Sequence, residues 1–212
     1  NLGGAGNSVY KLCKSLPKKN YKITVICLKN CFYKLKLKKL NIKVYEIQSN
    51  KTFFAMQKIK KLVKKLIKKN YKNIYLSNIH FSNVLSVLFL RSLYLKMVLV
   101  ERTPFEELSI YYNFLDFIKK NIIKVLIKFT FYKADLCISN SKYISEKYNK
   151  FYNLNFQTIH APSFKRIYFN KQKKLIKGKI CFGIVSRLSK EKKNEDVIQV
   201  LSKINKDISL KI

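Results

Sequence analysis

The chain has 212 residues, of which 48% are hydrophobic and 14% aromatic, enough to bury a substantial core, and this excludes a disordered chain. Its 45 basic residues stand against 11 acidic ones, for a net charge of +34. Only Arg91, Arg102, Arg166 and Arg187 are arginines, so the chain lacks the bidentate clamps of a dedicated nucleic-acid reader. The lysine load reads as the drift of an AT-rich coding sequence, which leaves only a salt-sensitive, non-specific attraction to anionic lipid or nucleic acid.

The first element is a glycine-rich turn, Gly3-Gly4-Ala5-Gly6. Asn7 or Ser8 is its candidate helix cap. Val9, Leu12, Cys13 and Leu16 keep a helical spacing that stops at Pro17. Strands are then expected over 23–28 and 42–47, with a short helix over 33–40 between them. A helix over 54–69 carries Ile59, Leu62, Val63, Leu66 and Ile67 on one face and lysines on the other. That face suits an interfacial helix on anionic lipid and equally an ordinary surface helix. Strands over 73–77, 96–100, 136–139 and 156–160 alternate with helices over 82–93, 114–133 and 142–149. The strands are short, nearly continuous runs of Ile, Val and Leu, as a parallel sheet covered on both faces requires. The fold class is therefore α/β, a doubly wound parallel sheet whose first strand is expected before Gly3.

From 163 to 179 the pattern breaks into a lysine-rich linker. A new strand over 180–185 and a helix on Val197, Ile198, Leu201 and Ile204 then begin a second unit. The expected organisation is an N-terminal Rossmann-like domain over 1–162, a hinge over 163–179, and the start of a second such domain over 180–212. Without an initiating Met, and with a strand in progress at its last residues, the chain reads as a piece of a longer protein. The most apolar stretch, 84–90, stops at Arg91 and is too short to span a bilayer. Cys13, Cys27, Cys31, Cys137 and Cys181 are odd in number, and four lie in apolar patterns. They read as buried thiols of a reducing, cytoplasmic compartment.

Several constellations carry chemistry. The glycine loop lets backbone approach a ligand, and the helix behind it offers free N–H groups. It departs from the dinucleotide fingerprint, because Val9 stands where a third glycine belongs. The next strand ends in Leu28-Lys29 without a carboxylate, against NAD and leaving NADP as one alternative. Arg187 follows the strand over 180–185, and Lys192 lies five residues on, two cations placed to hold a departing diphosphate. Glu101-Arg102-Thr103-Pro104 follows the strand over 96–100, at the carboxyl end where open α/β sheets bind ligands, and a carboxylate there can orient or deprotonate an acceptor hydroxyl. His80 lies just past another strand, facing the same crevice or merely capping. His160 has only a capping role. Two lone histidines make no metal site, and no Asp-x-Asp pair exists among Asp116, Asp135, Asp196 and Asp207. A catalytic metal held by paired aspartates is therefore not expected.

Four segments together resemble the retaining glycosyltransferases of family four. They are residues 2–9 with the helix and strand behind them, Ala134-Asp135 through Ser141, Thr158-Ile159-His160-Ala161-Pro162, and Ser186-Arg187-Leu188-Ser189-Lys190-Glu191-Lys192. The likeness implies two Rossmann-like domains in the GT-B arrangement. It also implies transfer of a sugar from a nucleotide-sugar to an acceptor hydroxyl with retention, in cell-surface glycan synthesis. Arg187 and Lys192 would act catalytically on the donor diphosphate. Gly3, Gly4, Ala5, Glu101, Arg102 and His80 would line the donor and acceptor side. The implied partners are a nucleotide-sugar and a sugar or lipid-linked acceptor, with no further cofactor, and with contact to the cytoplasmic face of an anionic membrane as a further option. Ser186, Lys193 and Ala161 depart from the family pattern without removing a charge from the diphosphate site. The family's paired glutamates would lie past Ile212, so this piece is expected to be inactive alone. The rival readings are an NADP-type oxidoreductase and a non-enzymatic polyanion- or membrane-binding module.

Overall fold

The computed structural model describes residues 4–17, 19–160, 180–186, 188, 192–204 and 208–211. The chain forms two compact units, Asn1–Ser163 and Phe164–Ile212. The expected hinge over 163–179 lies outside the described residues.

The first unit opens with α1 (Gly4–Ser15), β1 (Thr24–Cys27), α2 (Lys34–Lys38) and β2 (Lys43–Glu46). β1 and β2 pair in parallel, with Val25 opposite Val44. A small core forms here from Cys13 of α1, Leu37 of α2 and Ile42, with Val9, Tyr10 and Val25 packed around it. Of the glycine-rich segment, Gly4, Ala5 and Gly6 are helical, where a turn was expected, and Gly3 lies outside the described residues. α1 already begins at Gly4, so Asn7 and Ser8 lie inside it rather than at its cap, and the Ser8 hydroxyl donates back to the Gly4 carbonyl at 2.9 Å. Two of the thiols are also less enclosed than expected: Cys13 and Cys137 are buried, Cys27 and Cys31 only half-buried.

The larger part of the unit continues through α3 (Thr52–Leu66), β3 (Ile74–Asn78), α4 (His80–Leu90), β4 (Lys96–Glu101), α5 (Phe114–Thr130), β5 (Leu136–Ser139), α6 (Lys142–Tyr152) and β6 (Phe156–Thr158). β3, β4, β5 and β6 form a four-stranded, all-parallel sheet in sequence order. α4 lies on β3 and β4 between α3 and α5, and α6 lies on β5 and β6. This is a Rossmann-like arrangement of strands and crossover helices. The strands fall into two sheets rather than one, because among the described residues no strand bridges the β1–β2 pair and β3.

Side-chain alternation along the strands explains the core. Met97, Leu99, Cys137 and Phe156 point to the helical face and are buried with Val84, Val87, Leu90, Ile123 and Ile127. The opposite face is partly open, with Ile74 and Leu76 exposed, although Val100 on it is buried. The apolar stripe of α3 (Ala55, Met56, Ile59 and Val63) is buried in this core, which makes α3 an ordinary surface helix with its lysines outward.

Local chemistry sets the element ends. Asn113 caps α5 by accepting from the Asp116 N–H at 2.8 Å, and Ser141 caps α6 by accepting from the Ile144 N–H. α6 runs to Tyr152, beyond the expected 149, and stops at Asn153, whose φ of 52° lies in the left-handed region. Asp135 ties the start of β5 to β4. Its carboxylate accepts from the Met97 N–H at 2.8 Å and pairs with Lys96 at 2.8 Å, while its own N–H donates to the Met97 carbonyl.

The second unit is a parallel β–α–β turn. β7 (Ile180–Gly183) and β8 (Ile208–Lys211) pair with Ile180 opposite Ile208, and α7 (Asn194–Ser202) connects them.

The Asp135 contacts predict a direct effect. Lys96 and the Met97 N–H hold the Asp135 carboxyl below its usual range. Its contribution is therefore complete above the unfolded value near 3.8 and is lost as pH falls through the lower folded value. Asp135→Ala should cost about 1–2 kcal/mol in urea unfolding at pH 7, and less in acid.

Candidate active site

In parallel α/β sheets the ligand crevice lies at the carboxyl ends of the strands, where helix N-termini converge. Here the carboxyl ends of β3 and β4 hold three of the residues picked from the sequence. His80 is the first residue of α4, Glu101 the last of β4, and Arg102 follows it.

Glu101 is fully buried. Its position follows from alternation, because it shares a face with Met97 and Leu99. One carboxyl oxygen accepts from the Asn83 side-chain amide at 2.7 Å, and the same amide donates to the Val100 carbonyl at 3.1 Å. The other oxygen has no hydrogen-bond partner among the described residues and lies 3.9 Å from His80 Nδ1. Burial pushes the Glu101 carboxyl up to about 8, against the opposing effect of the Asn83 hydrogen bond, with a further upward push from Glu107. His80 moves the other way. Burial, with Lys120 and Lys119 nearby, pulls its imidazole down to about 4. At neutral pH both groups are uncharged, so the 3.9 Å approach is no ion pair. Thr103 Oγ1 lies 3.3 Å from His80 Nδ1 and fixes the ring from the other strand end.

The backbone between β3 and α4 is strained. Ile79 has φ 74° and ψ 136°, a conformation that β-branched residues avoid. It is pinned on both sides, by its N–H donating to the Val100 carbonyl at 3.0 Å and its carbonyl accepting from the Asn83 N–H at 2.9 Å. Asn83 thus binds Ile79, Val100 and Glu101 at once. Beside it, Arg102 Nε donates to Asn78 Oδ1 at 3.2 Å, and the guanidinium is half-buried, with its acidity raised by burial. Asn140, just past β5, donates its N–H to the Glu101 carbonyl, and its buried Oδ1 has no partner among the described residues. Glu106 points elsewhere, to Tyr143 and Lys147 of α6.

This arrangement makes Glu101 a buried, neutral support for the strand ends. Beside it at the same strand ends stand Arg102, whose Nε donates to Asn78 Oδ1, Thr103, whose Oγ1 lies by His80 Nδ1, and the first turn of α4. Gly4 and Ala5 form the first turn of α1, and a side chain added at Gly4 would meet nothing within 4 Å. Gly3 and Arg187 lie outside the described residues. In the second unit Lys192 is exposed just before α7, and the Ser186 hydroxyl donates to Asn194 Oδ1 at 2.8 Å. Among the described residues no group of three or more His, Cys, Asp or Glu side chains converges as metal ligands would.

Sequence reasoning missed Asn83, Ile79 and Asn194. Asn83 had a signal, since it sits at helical spacing with Val84, Val87 and Leu90 on the buried face of α4. Ile79 had none, because nothing in a β-branched residue announces a positive φ.

A Rossmann-like parallel sheet with polar groups gathered at its strand ends defines an α/β ligand-handling domain. Residues 2–161 match the family model for Glycosyltransferase Family 4, and the chain belongs to that family. No curated protein matches the chain.

The buried pair predicts a pH profile of stability. Folding depresses His80 from 6.5 to about 4, so its effect is a stability that rises with pH across that window and is complete above 6.5. Folding raises Glu101 from 4.5 to about 8, so the folded state holds a proton that the unfolded chain releases, and stability falls as pH rises from 4.5 to 8. Between pH 6.5 and 8 only Glu101 acts, and unfolding free energy should drop by about 2 kcal/mol. Glu101→Gln keeps the Asn83 contact without a titrating proton and should flatten that drop in urea melts at successive pH values.

Proposed function

We propose that the protein transfers a sugar from a nucleoside-diphosphate-sugar to an acceptor hydroxyl, with retention at the anomeric carbon. Membership of Glycosyltransferase Family 4 carries this reading. The strand-end cluster of the first unit supports an acceptor-side role for Arg102, Thr103 and the start of α4. Glu101 and Asn83 act there as positioning residues. His80, buried and neutral, fixes the loop through Thr103 instead of meeting solvent.

Arg187 and Lys192 are the groups we assign to the donor diphosphate. Two cations on one short loop would neutralise the charge that builds on the departing diphosphate, which is where electrostatic stabilisation contributes most. The Ser186 hydroxyl donates to Asn194, the first residue of α7. Ser186, which departs from the glycine of the family pattern, thereby gains a structural use. The first turn of α1, with Gly4 and Ala5, offers open N–H groups to a bound sugar or phosphate. We place the enzyme in cell-surface glycan synthesis, working in the cytoplasm with sugar or lipid-linked acceptors and no cofactor beyond the donor. The oxidoreductase alternative has no counterpart in the family match.

Ligand-induced stabilisation tests the assignment. Uridine or guanosine diphosphate at a hundredfold excess over Kd should stabilise the protein by about 2.7 kcal/mol, and NADP should not. Arg187→Ala and Lys192→Ala should each weaken nucleotide binding on the order of tenfold or more without altering the unliganded melting temperature. Equal stabilisation of the wild type and the double variant would remove both residues from the donor site.

A further inference from the structure

Two thiols meet at the end of β1. Cys27 is the last residue of that strand, and Cys31 stands four residues on, just before α2. Both are half-buried, so a small solute can reach them. The connection that carries Cys31 is pinned to the segment that ends β2. The Leu28 carbonyl accepts from the Ser49 N–H at 2.8 Å, and Asn30 Oδ1 accepts from the Gln48 side-chain amide at 2.8 Å. Glu46 makes the decisive tie. It stands opposite Cys27 in the β1–β2 ladder, and residues so paired send their side chains to the same face. Its carboxylate accepts from the Cys31 N–H at 2.7 Å and pairs with Lys34. One side chain thus shares a face with Cys27 and holds the backbone of Cys31. The Cys31 carbonyl in turn accepts from the Lys34 N–H at 3.0 Å, at the first residue of α2.

The arrangement makes a dithiol. The Cys27 and Cys31 side chains are in hydrogen-bonding contact. Burial, and after it that contact, pushes the Cys27 thiol up to about 12, so Cys27 keeps its proton at neutral pH. Cys31 is then the sulfur that meets an oxidant, and Cys27 the one that closes a bond to it. The other two described thiols are placed differently. Cys13 is enclosed in the small core of α1 and α2, against which Cys31 also packs. The Cys137 thiol is buried in the larger core and donates to the Phe131 carbonyl at 3.7 Å. A disulfide between two residues so close in sequence closes a very short loop, so its effect is local. It would tie the start of α2 to the end of β1.

We propose that Cys27 and Cys31 are a modification site, a dithiol that a peroxide converts to a reversible disulfide. The peroxide O–O bond breaks as one oxygen passes to Cys31 Sγ, giving a sulfenic acid, and the other oxygen leaves as water. Cys27 Sγ then attacks the Cys31 sulfur, the S–S bond forms, and the sulfenic hydroxyl departs with the Cys27 proton as a second water. Two thiols and one peroxide become one disulfide and two waters. A dithiol reductant reverses the step by exchange through a mixed disulfide. The site stands apart from the sugar-transfer reading, since it uses none of the residues placed at the ends of β3 and β4 or on the diphosphate.

Lys29 falls between the two cysteines, so trypsin separates them unless a disulfide joins the peptides 23–29 and 30–34. Reduced protein would be treated with hydrogen peroxide, blocked with N-ethylmaleimide, digested and read by mass spectrometry. The expected product is a joined pair of peptides, two hydrogens lighter than their sum, found in monomeric protein and lost on treatment with dithiothreitol. Cys27→Ser should leave a sulfenic acid on Cys31 that dimedone traps, and Cys31→Ser should leave Cys27 unoxidised at the same dose. Circular dichroism keeps a folding defect in either variant apart from lost reactivity, and the wild-type peptide map reads the bond without any substitution. A Cys13–Cys31 bond in place of this one would overturn the proposal, as would a bond formed only between chains. Complete N-ethylmaleimide labelling of Cys27 and Cys31 after a peroxide dose that oxidises glutathione would overturn it too.

Discussion

The first unit depends on one constraint: a carboxyl group has to be housed at the end of β4 where no water reaches it. Leaving it charged there would be costly without a cationic partner. The structure keeps the proton on Glu101 and gives one oxygen to Asn83. Asn83 in turn fixes the turn that feeds α4, through the Ile79 carbonyl, and the Val100 carbonyl of the neighbouring strand. The strained Ile79 backbone persists because these bonds over-determine it. The result is a rigid corner between β3, β4 and α4, from which Arg102 and Thr103 project. A neutral imidazole at His80 belongs to the same economy, since a cation there would also sit beside Lys119 and Lys120.

Only the place of this corner was legible in the sequence, where Glu101, Arg102 and His80 stand at strand ends; Asn83 and Ile79, which tie it together, were not read. Glu101 was expected as a carboxylate turned toward an acceptor hydroxyl, whereas its register with Met97 and Leu99 puts it on the buried face. Asp135 reads as a polar residue at a strand start, and its bond to the Met97 N–H follows from the neighbouring parallel strand. The alternation of strands and helices was readable throughout, with boundaries off by a few residues where capping chemistry decides the ends, as at Asn153. The glycine-rich start misled. Glycines permit a sharp turn, but they do not require one, and here Gly4 and Gly6 lie in α1. The division into two sheets was not readable either, because strand order across a gap is set by long-range pairing that local patterns do not encode.

The lysine excess acts at two levels. Drift in composition explains why most lysines are simply solvated, and the few acids are largely committed to specific ties, such as Lys34–Glu46, Lys96–Asp135 and Lys147–Glu106. Against that background the informative residues are those that break the bias. An arginine at a strand end and a glutamate without a cation are two of them, and both lie in the segment that belongs to Glycosyltransferase Family 4.

The protonation of Glu101 is the claim on which the rest turns, and the carbon-13 shift of its side-chain carboxyl reads it directly. With the resonance assigned through Glu101→Gln and followed from pH 5 to pH 9, the account requires a neutral acid at pH 7 that titrates near 8. A carboxylate signal already complete at pH 6 would mean a charged group in that corner, and the scheme of neutral support by Asn83 would fall.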